Sequence, residues 1–291
     1  MGLRVVWDVV REAGGAWLDD RAPRIAAALA FFTALSIAPI LVIALAMAGA
    51  AYGDGARGEV AAKLTGLVGE EAAVGVGELV ANARWPDAGA VAVVVSLVTL
   101  VVGATGVFVE LQEALNDVWG VRPKPGRPVR TFVRARVGAL AMGVAIGVLL
   151  LASLVLTTAT DAVGRYATGT VPGAGTAVLG VNLVTLFVFE AFLFGMIFKF
   201  LPNTKLHWRD LVVGAVLNAA LFTAGKVLIG LYLRHTVSLS GFGAAGSLMA
   251  FLVWLYYSAL VFVFGAEVTK VTARRGGRAI RPTSRAEAVG G

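Results

Sequence analysis

Apolar residues in this chain run in long stretches separated by shorter polar and mostly basic ones. The clearest stretch is residues 243–266, which carries no charge, opens on small residues and closes on Gly265-Ala266-Glu267. About 20 apolar residues suffice to cross ~30 Å of hydrocarbon, so the stretch predicts a transmembrane helix, at about 243–268. Similar stretches predict earlier spans at about 25–52, 88–109, 137–160, 176–200 and 211–233. Other segments are amphipathic. Val5, Val6, Val9, Val10, Ala13 and Trp17 recur at helical spacing, with Arg4, Asp8, Arg11 and Glu12 elsewhere on the wheel. That pattern suits either a helix lying in the membrane interface or one packed on the protein's own inner side. Between residues 53 and 87, Val60, Leu64, Leu67 and Val68, then Val76, Leu79 and Val80, predict two short amphipathic helices outside the membrane; a structureless connection of that length is uncommon. Leu111, Leu115 and Val118 face away from Glu113 and Asp117, which predicts a helix that leaves the bilayer and bends along its surface until Gly120 and Pro123 stop it.

Composition sharpens this picture. Of 291 residues 58% are hydrophobic and only 15% charged, against about 25% charged in a soluble domain. There is no cysteine, which excludes disulfides, thiol catalysis and thiolate metal sites. The start, Met1-Gly-Leu-Arg-Val-Val-Trp-Asp8, lacks a signal peptide's apolar core and cleavage site, so the first apolar helix is expected to direct the chain to the membrane.

The net charge of +7 invites a nucleic-acid reading until the bases are placed. Arg4, Arg11, Arg21 and Arg24 precede the first span. Arg122, Lys124, Arg127, Arg130, Arg134 and Arg136 fill the second connection, Lys205 and Arg209 the fourth, and Lys270, Arg274, Arg275, Arg278, Arg281 and Arg285 the tail. The alternate connections hold only Arg57, Lys63 and Arg84, then Arg165, then Arg234. The positive-inside rule therefore predicts six spans with both termini in the cytoplasm, and assigns the excess charge to topology and anionic headgroups. Residues 269–291, basic and poor in apolar residues, read as a tail disordered after its first turn.

Within this frame few residues can carry chemistry. His207 and His235 fall on opposite sides of the predicted membrane and cannot share a metal or an acid–base pair. No phosphate loop, nucleophile elbow or metal-ligand spacing is present, and Asp19-Asp20 and Glu70-Glu71 fall in solvated segments. Ionisable groups at membrane depth are more informative, since each costs at least ~2.5–3.5 kcal/mol unless paired or hydrated. Glu190 lies ~15 Å from the cytoplasmic end of the fourth span and Lys226 ~22 Å into the fifth, at 1.5 Å per residue. A snorkelling lysine covers that difference, so the two can meet across adjacent antiparallel helices, either as a register-fixing pair or as a substrate or proton site. Ser36-Ile-Ala-Pro39 predicts a kink in the first span, a packing feature or a hinge at a cavity wall. Trp254 and Tyr257, at mid-depth rather than at an interface, point to a face turned toward protein or a polar cavity. Glu110 and Glu267 end helices that run toward the cytoplasm and are candidates to line one vestibule, although snorkelling also explains them. Asn182 and Asn218 are expected to hydrogen-bond between helices, and Gly241, Gly243, Gly246 and Ser247 to allow close packing.

Several of these stretches also carry a family resemblance: the Ala-rich first span through Ser36-x-x-Pro39, Leu115-Asn116-Asp117-Val118-Trp119-Gly120, Leu201-Pro202-Asn203, and the span from Gly243 to Glu267. Together they resemble the YihY/BrkB family of membrane proteins, from about Arg24 to Glu267. The resemblance implies six helices and a cytoplasmic N-terminus, and a link to envelope lipid traffic and serum resistance. Some members carry the label ribonuclease BN; without a cytoplasmic carboxylate cluster able to hold metal that label is not carried over.

The reading is an all-α polytopic membrane helix bundle with six transmembrane helices and short amphipathic interfacial helices. Residues 1–24 form a cytoplasmic amphipathic segment, 25–268 the transmembrane domain and 269–291 the tail. The expected function is non-enzymatic: transport or translocation of a lipid or other amphiphile across the cytoplasmic membrane, with an envelope scaffold as the alternative. The candidate substrate and cavity residues are Glu190, Lys226, Pro39, Ser36, Trp254, Tyr257, Glu267 and Glu110. No cofactor, metal or nucleic acid is expected, and membrane lipids are the expected partners, with a homo-oligomer left open.

Overall fold

A computed structural model describes residues 3–52, 90–125, 132–149, 174–236, 243–278, 280–284 and 286–289. The predicted helices in the 53–87 connection, and Arg127, Arg130 and Arg165, lie outside these residues. The described chain is all-α apart from two small ribbons. Helix α1 is Leu3–Asp19, α2 Ala22–Tyr52 and α3 Ala90–Val118; strand β1 is Val121–Pro123. Helix α4 follows at Phe132–Leu149 and α5 at Ala174–Phe200, then β2 at Thr204–Lys205, α6 at Trp208–Thr236 and α7 at Gly243–Arg275. Strands β3 (Arg281–Pro282) and β4 (Ala286–Ala288) end the chain.

Helix α7 is the hub. It packs against α1, α2, α3 and α6, while α5 lies on α6 and α3 on α2. Its C-terminal half supplies Ala259, Phe262, Val263 and Ala266 to a core that also holds Leu29, Leu115, Trp119, Phe198 and Leu211. Outward, the helices stay apolar: Val133, Val137, Val144 and Val148 of α4, Val181, Leu183 and Val184 of α5, and Val212 and Val227 of α6 are exposed. Water would penalise such a surface, whereas hydrocarbon accepts it at no cost in unpaired backbone groups, because a helix satisfies its own. Among the described residues four helical segments are long and apolar enough to cross a membrane: Phe132–Leu149, Gly180–Phe200, Trp208–Leu228 and Phe251–Arg275.

Helix α1 resolves the two readings of its amphipathic pattern into two faces. Val9 and Ala13 are buried against Val268 and Val271 of α7, and Arg275 donates to Glu12 at 2.8 Å. The opposite face exposes Trp7 and Leu18 beside Arg4 and Arg11.

Two expectations need correction. The segment from Leu111 to Trp119 is not a separate surface helix: α3 runs unbroken to Val118, and Leu115, Val118 and Trp119 are buried at the end of the bundle. The Trp119 indole N–H donates to the Ala266 carbonyl at 3.1 Å, and Trp119 stacks edge-on against Phe198. The apolar stripe is thus satisfied by α5 and α7 rather than by headgroups. Nor is the tail after Thr269 disordered through its described part. Helix α7 continues to Arg275, β4 pairs antiparallel with β1 (Val121 opposite Ala288), and β3 pairs with β2 (Thr204 opposite Pro282). Arg278 forms a bidentate pair with buried Asp210, one bond at 2.9 Å, and Thr283 N donates to Asn203 O at 2.9 Å. Asn116 Oδ1 accepts from Asn203 N at 2.9 Å, tying α3 to the same turn. The α1–α2 corner, the turns after α3 and α5, and the tail therefore meet at one end of the bundle. These are the segments in which the Lys and Arg residues concentrate.

Candidate functional site

Glu190 of α5 and Lys226 of α6 meet as the depth argument predicts: Lys226 Nζ donates to Glu190 Oε1. Thr223, one turn earlier on α6, donates to Glu190 Oε2 at 2.9 Å, so both carboxylate oxygens are satisfied. The ammonium also lies 5.4 Å from the centroid of Phe222, a cation–π distance. The Glu190 side chain is 20% exposed and that of Lys226 43%. The pair is therefore built into the α5–α6 seam and open on its outer side.

Behind it the bundle is filled with rings. Trp119, Phe198, Phe262, Phe194, Phe222, Trp254 and Tyr257 make successive contacts with centroids 5.0–6.5 Å apart. Trp254 and Tyr257 thus do face protein. Trp254 packs on Phe222 at 5.0 Å, and the Tyr257 hydroxyl donates to the Leu221 carbonyl at 2.7 Å, across Gly225. The aromatic column begins at the basic end and stops beside the ion pair.

The other candidates are scattered. Ser36 is buried and its Oγ accepts from Val107 N at 3.2 Å, where Gly106 lets α2 approach α3. Pro39 lies within α2, which is helical on both sides of it; its side chain and the predicted kink fall outside the described features. Glu110 is half-buried, with Glu113 and Asp117 of its own helix as its charged neighbours, whereas Glu267 is wholly buried beside Asp20 and Lys270. On these contacts the two glutamates do not share a vestibule.

Other residues escaped the sequence reading. Helices α6 and α7 cross where Gly214 faces Gly265 and Thr269, and Asn218 lies against Gly265. Asn218 is interhelical as expected, but neither of its side-chain polar atoms finds a hydrogen-bond partner. Gly265-x-x-x-Thr269 is a small-residue spacing of the kind that brings membrane helices together, and that signal, with Gly214 opposite it, marks the crossing. Of the predicted close-packing residues, Gly241 lies outside the described residues, as do the surroundings of Gly246. Asp20, placed in a solvated segment from its sequence, is instead held by Lys270 at 2.6 Å. Burial pushes the Asp20 carboxyl up, but the nearby Glu267 carboxyl, the hydrogen bond and charge of Lys270 and the charge of Arg274 bring it below its ordinary value.

Apolar helices long enough to span a bilayer, an ion pair set between two of them and an apolar outer surface define a helical membrane protein. The chain belongs to the virulence factor BrkB family, whose model matches residues 14–289. It is 28% identical over 266 residues to a UPF0761 membrane protein of Ralstonia nicotianae, covering 89% of this chain and 56% of the relative. It is likewise 28% identical over 264 residues to one of Pseudomonas aeruginosa (86% and 59%), and 32% identical over 186 residues to one of Alkalilimnicola ehrlichii (62% and 39%). The chain thus spans little more than half the length of the first of these relatives. No solved structure matches it.

Proposed function

We propose that this chain binds an amphiphile, a lipid or a solute with a charged head and an apolar body, and moves it across a bacterial cytoplasmic membrane without catalysing a reaction. In this reading the protein crosses the membrane six times with both termini in the cytoplasm. The basic end and the outer face of α1 rest on anionic headgroups, with Trp7 and Leu18 as apolar anchors.

One observation carries the reading: a Glu190–Lys226 pair on two adjacent apolar helices, with both carboxylate oxygens hydrogen-bonded and Lys226 half exposed on the outer side. A charge that only fixed register would be expected to lie covered. An ammonium open to the side offers an anionic headgroup a partner, and the carboxylate offers one to a cationic head, while the acyl part stays in hydrocarbon. The filled aromatic column favours the second reading, a scaffold that moves nothing, because it leaves little room for a polar path behind the pair. The lateral opening of the pair favours movement along the bundle's outer surface instead.

Reconstitution separates the two. The full chain in liposomes bearing headgroup-labelled lipids is expected to speed exchange between leaflets, and the double variant Glu190→Gln with Lys226→Met is expected to abolish that effect while remaining folded. A folded wild-type chain that accelerates no lipid, anionic or zwitterionic, sinks the transport reading and leaves the scaffold.

A further inference from the structure

Glu267 closes the last apolar stretch at the basic end of α7. It is 0% exposed, and neither carboxylate oxygen has a hydrogen-bond partner. An ionised carboxylate cannot be left so without a large desolvation penalty. The nearest cation, Lys270 Nζ, lies 3.2 Å from Oε2 but gives its hydrogen bond to Asp20 Oδ2 at 2.6 Å. Asp20 and Glu267 are themselves within hydrogen-bonding reach of each other. Two carboxyls therefore face one ammonium, and Glu267, buried and given no donor while Asp20 takes the hydrogen bond of Lys270, is the one whose charged form is disfavoured.

The further charge in the surroundings falls on Asp20 and not on Glu267. Lys270 and Arg274 of α7 act on Asp20. Helix α2 brings Ala22 and Ala26 to this end, and the Trp119 indole just past α3 is committed to the Ala266 carbonyl. On α1, Glu12 is taken by Arg275. The element that holds Asp20 is a two-residue corner between α1 and α2, in which Arg21 adopts φ 53°. That left-handed conformation is unfavourable for a non-glycine residue, so the corner is held rather than relaxed.

We propose that Asp20, Glu267 and Lys270 form a proton-binding site, in which Glu267 keeps a proton and donates it as a hydrogen bond to Asp20, latching the α1–α2 corner onto α7. When that proton leaves, through the 36% exposed Asp20 side chain to water, two carboxylates repel across one ammonium and the corner separates from α7. The latch is closed at lower pH and opens as pH rises. It makes the last helix and the N-terminal helix responsive to protons whether or not Glu190 and Lys226 bind a solute.

The test uses the full chain in lipid nanodiscs, with isotope-labelled glutamate and infrared difference spectroscopy. A protonated-carboxyl band that carries the glutamate isotope shift is expected at neutral pH. It should fade on alkalinisation and be missing in Glu267→Gln. Because the chain has no cysteine, spin labels at Leu18→Cys and Arg281→Cys report the corner. Their separation should lengthen as the band fades, and should stay short at all pH values in Glu267→Gln, which keeps a donor toward Asp20. Absence of a glutamate carboxyl band in the wild-type chain overturns the proposal, as does a band that titrates with no change in label distance. The wild-type titration decides alone should Glu267→Gln fold poorly.

Discussion

The crossing of α6 and α7 sets where Lys226 and Tyr257 stand, and a single methyl group probes it. In Gly214→Ala the new Cβ would lie 2.5 Å from the Gly265 carbonyl oxygen and would overlap Thr269 Oγ1. The first obstacle is main chain, so no rotamer change relieves it and the helices must part. Overpacking of this kind costs about 1–3 kcal/mol, and the rigid obstacle puts this site at the upper end. Replacing a helical glycine returns about 0.5–1 kcal/mol, so the net loss is about 2 kcal/mol, or roughly 4–8 °C in Tm for a chain of this size. Gly225→Ala meets the Tyr257 ring instead, with Cζ at 2.6 Å, and Tyr257→Ala should relieve it fully. Thr269→Ala should rescue Gly214→Ala only in part, because the Gly265 carbonyl remains. Gly147→Ala on α4 meets nothing within 4 Å and serves as a control, neutral or slightly stabilising. Thermal unfolding of the purified chain in detergent, followed by the monodisperse fraction, ranks the variants. If Gly214→Ala unfolds with Gly147→Ala and the parent, the helices do not approach as closely as described, and the positions of Lys226 and Tyr257 lose their support.

Three further outcomes are expected. Glu190→Gln alone leaves Lys226 without a counter-charge in hydrocarbon and should cost about 2.5–3.5 kcal/mol; adding Lys226→Met should recover most of that loss, and additive losses in the same unfolding assay would mean the two groups are not coupled. Arg278→Ala leaves the buried Asp210 carboxylate without its bidentate partner and should expose the segment after Arg275 to limited proteolysis, whereas unchanged cleavage would show that the ribbons do not depend on this pair. Single cysteines introduced at Arg127, Lys205 and Arg285 should be labelled only from the cytoplasm and those at Glu70, Arg165 and Ser238 only from outside; cytoplasmic labelling at Glu70 would overturn the six-span topology.

What could be read from the sequence was whatever has a period or a cost. Apolar helices show as unbroken hydropathy, and α5, α6 and α7 lie where that pattern puts them. Glu190 and Lys226 stand out because a charge inside an apolar run is expensive, and counting 1.5 Å per residue from the helix ends brings their depths within the reach of a lysine side chain. The strands of the tail show neither signal. With two or three residues each they have no alternation to read, and their partners lie far along the chain, Ala286 opposite Pro123 and Arg281 opposite Lys205. Lys270 was hidden in the same way: its partner Asp20 is 250 residues distant, and a basic residue just past an apolar run looks like an inside-facing flank. The stripe of Leu115 and Val118 was legible as an apolar face, but amphipathicity does not say whether lipid or protein covers that face.

The reading that Glu190 and Lys226 hold an amphiphile can be tested by lipid retention. Native mass spectrometry of the full chain, extracted from membranes in mild detergent and washed stepwise, compares the parent with the double variant Glu190→Gln, Lys226→Met. A lipid of one headgroup class should persist on the parent through washes that strip the others, and should be lost from the folded double variant at the first step. Equal retention by the two proteins would contradict the assignment and return the pair to a purely structural role.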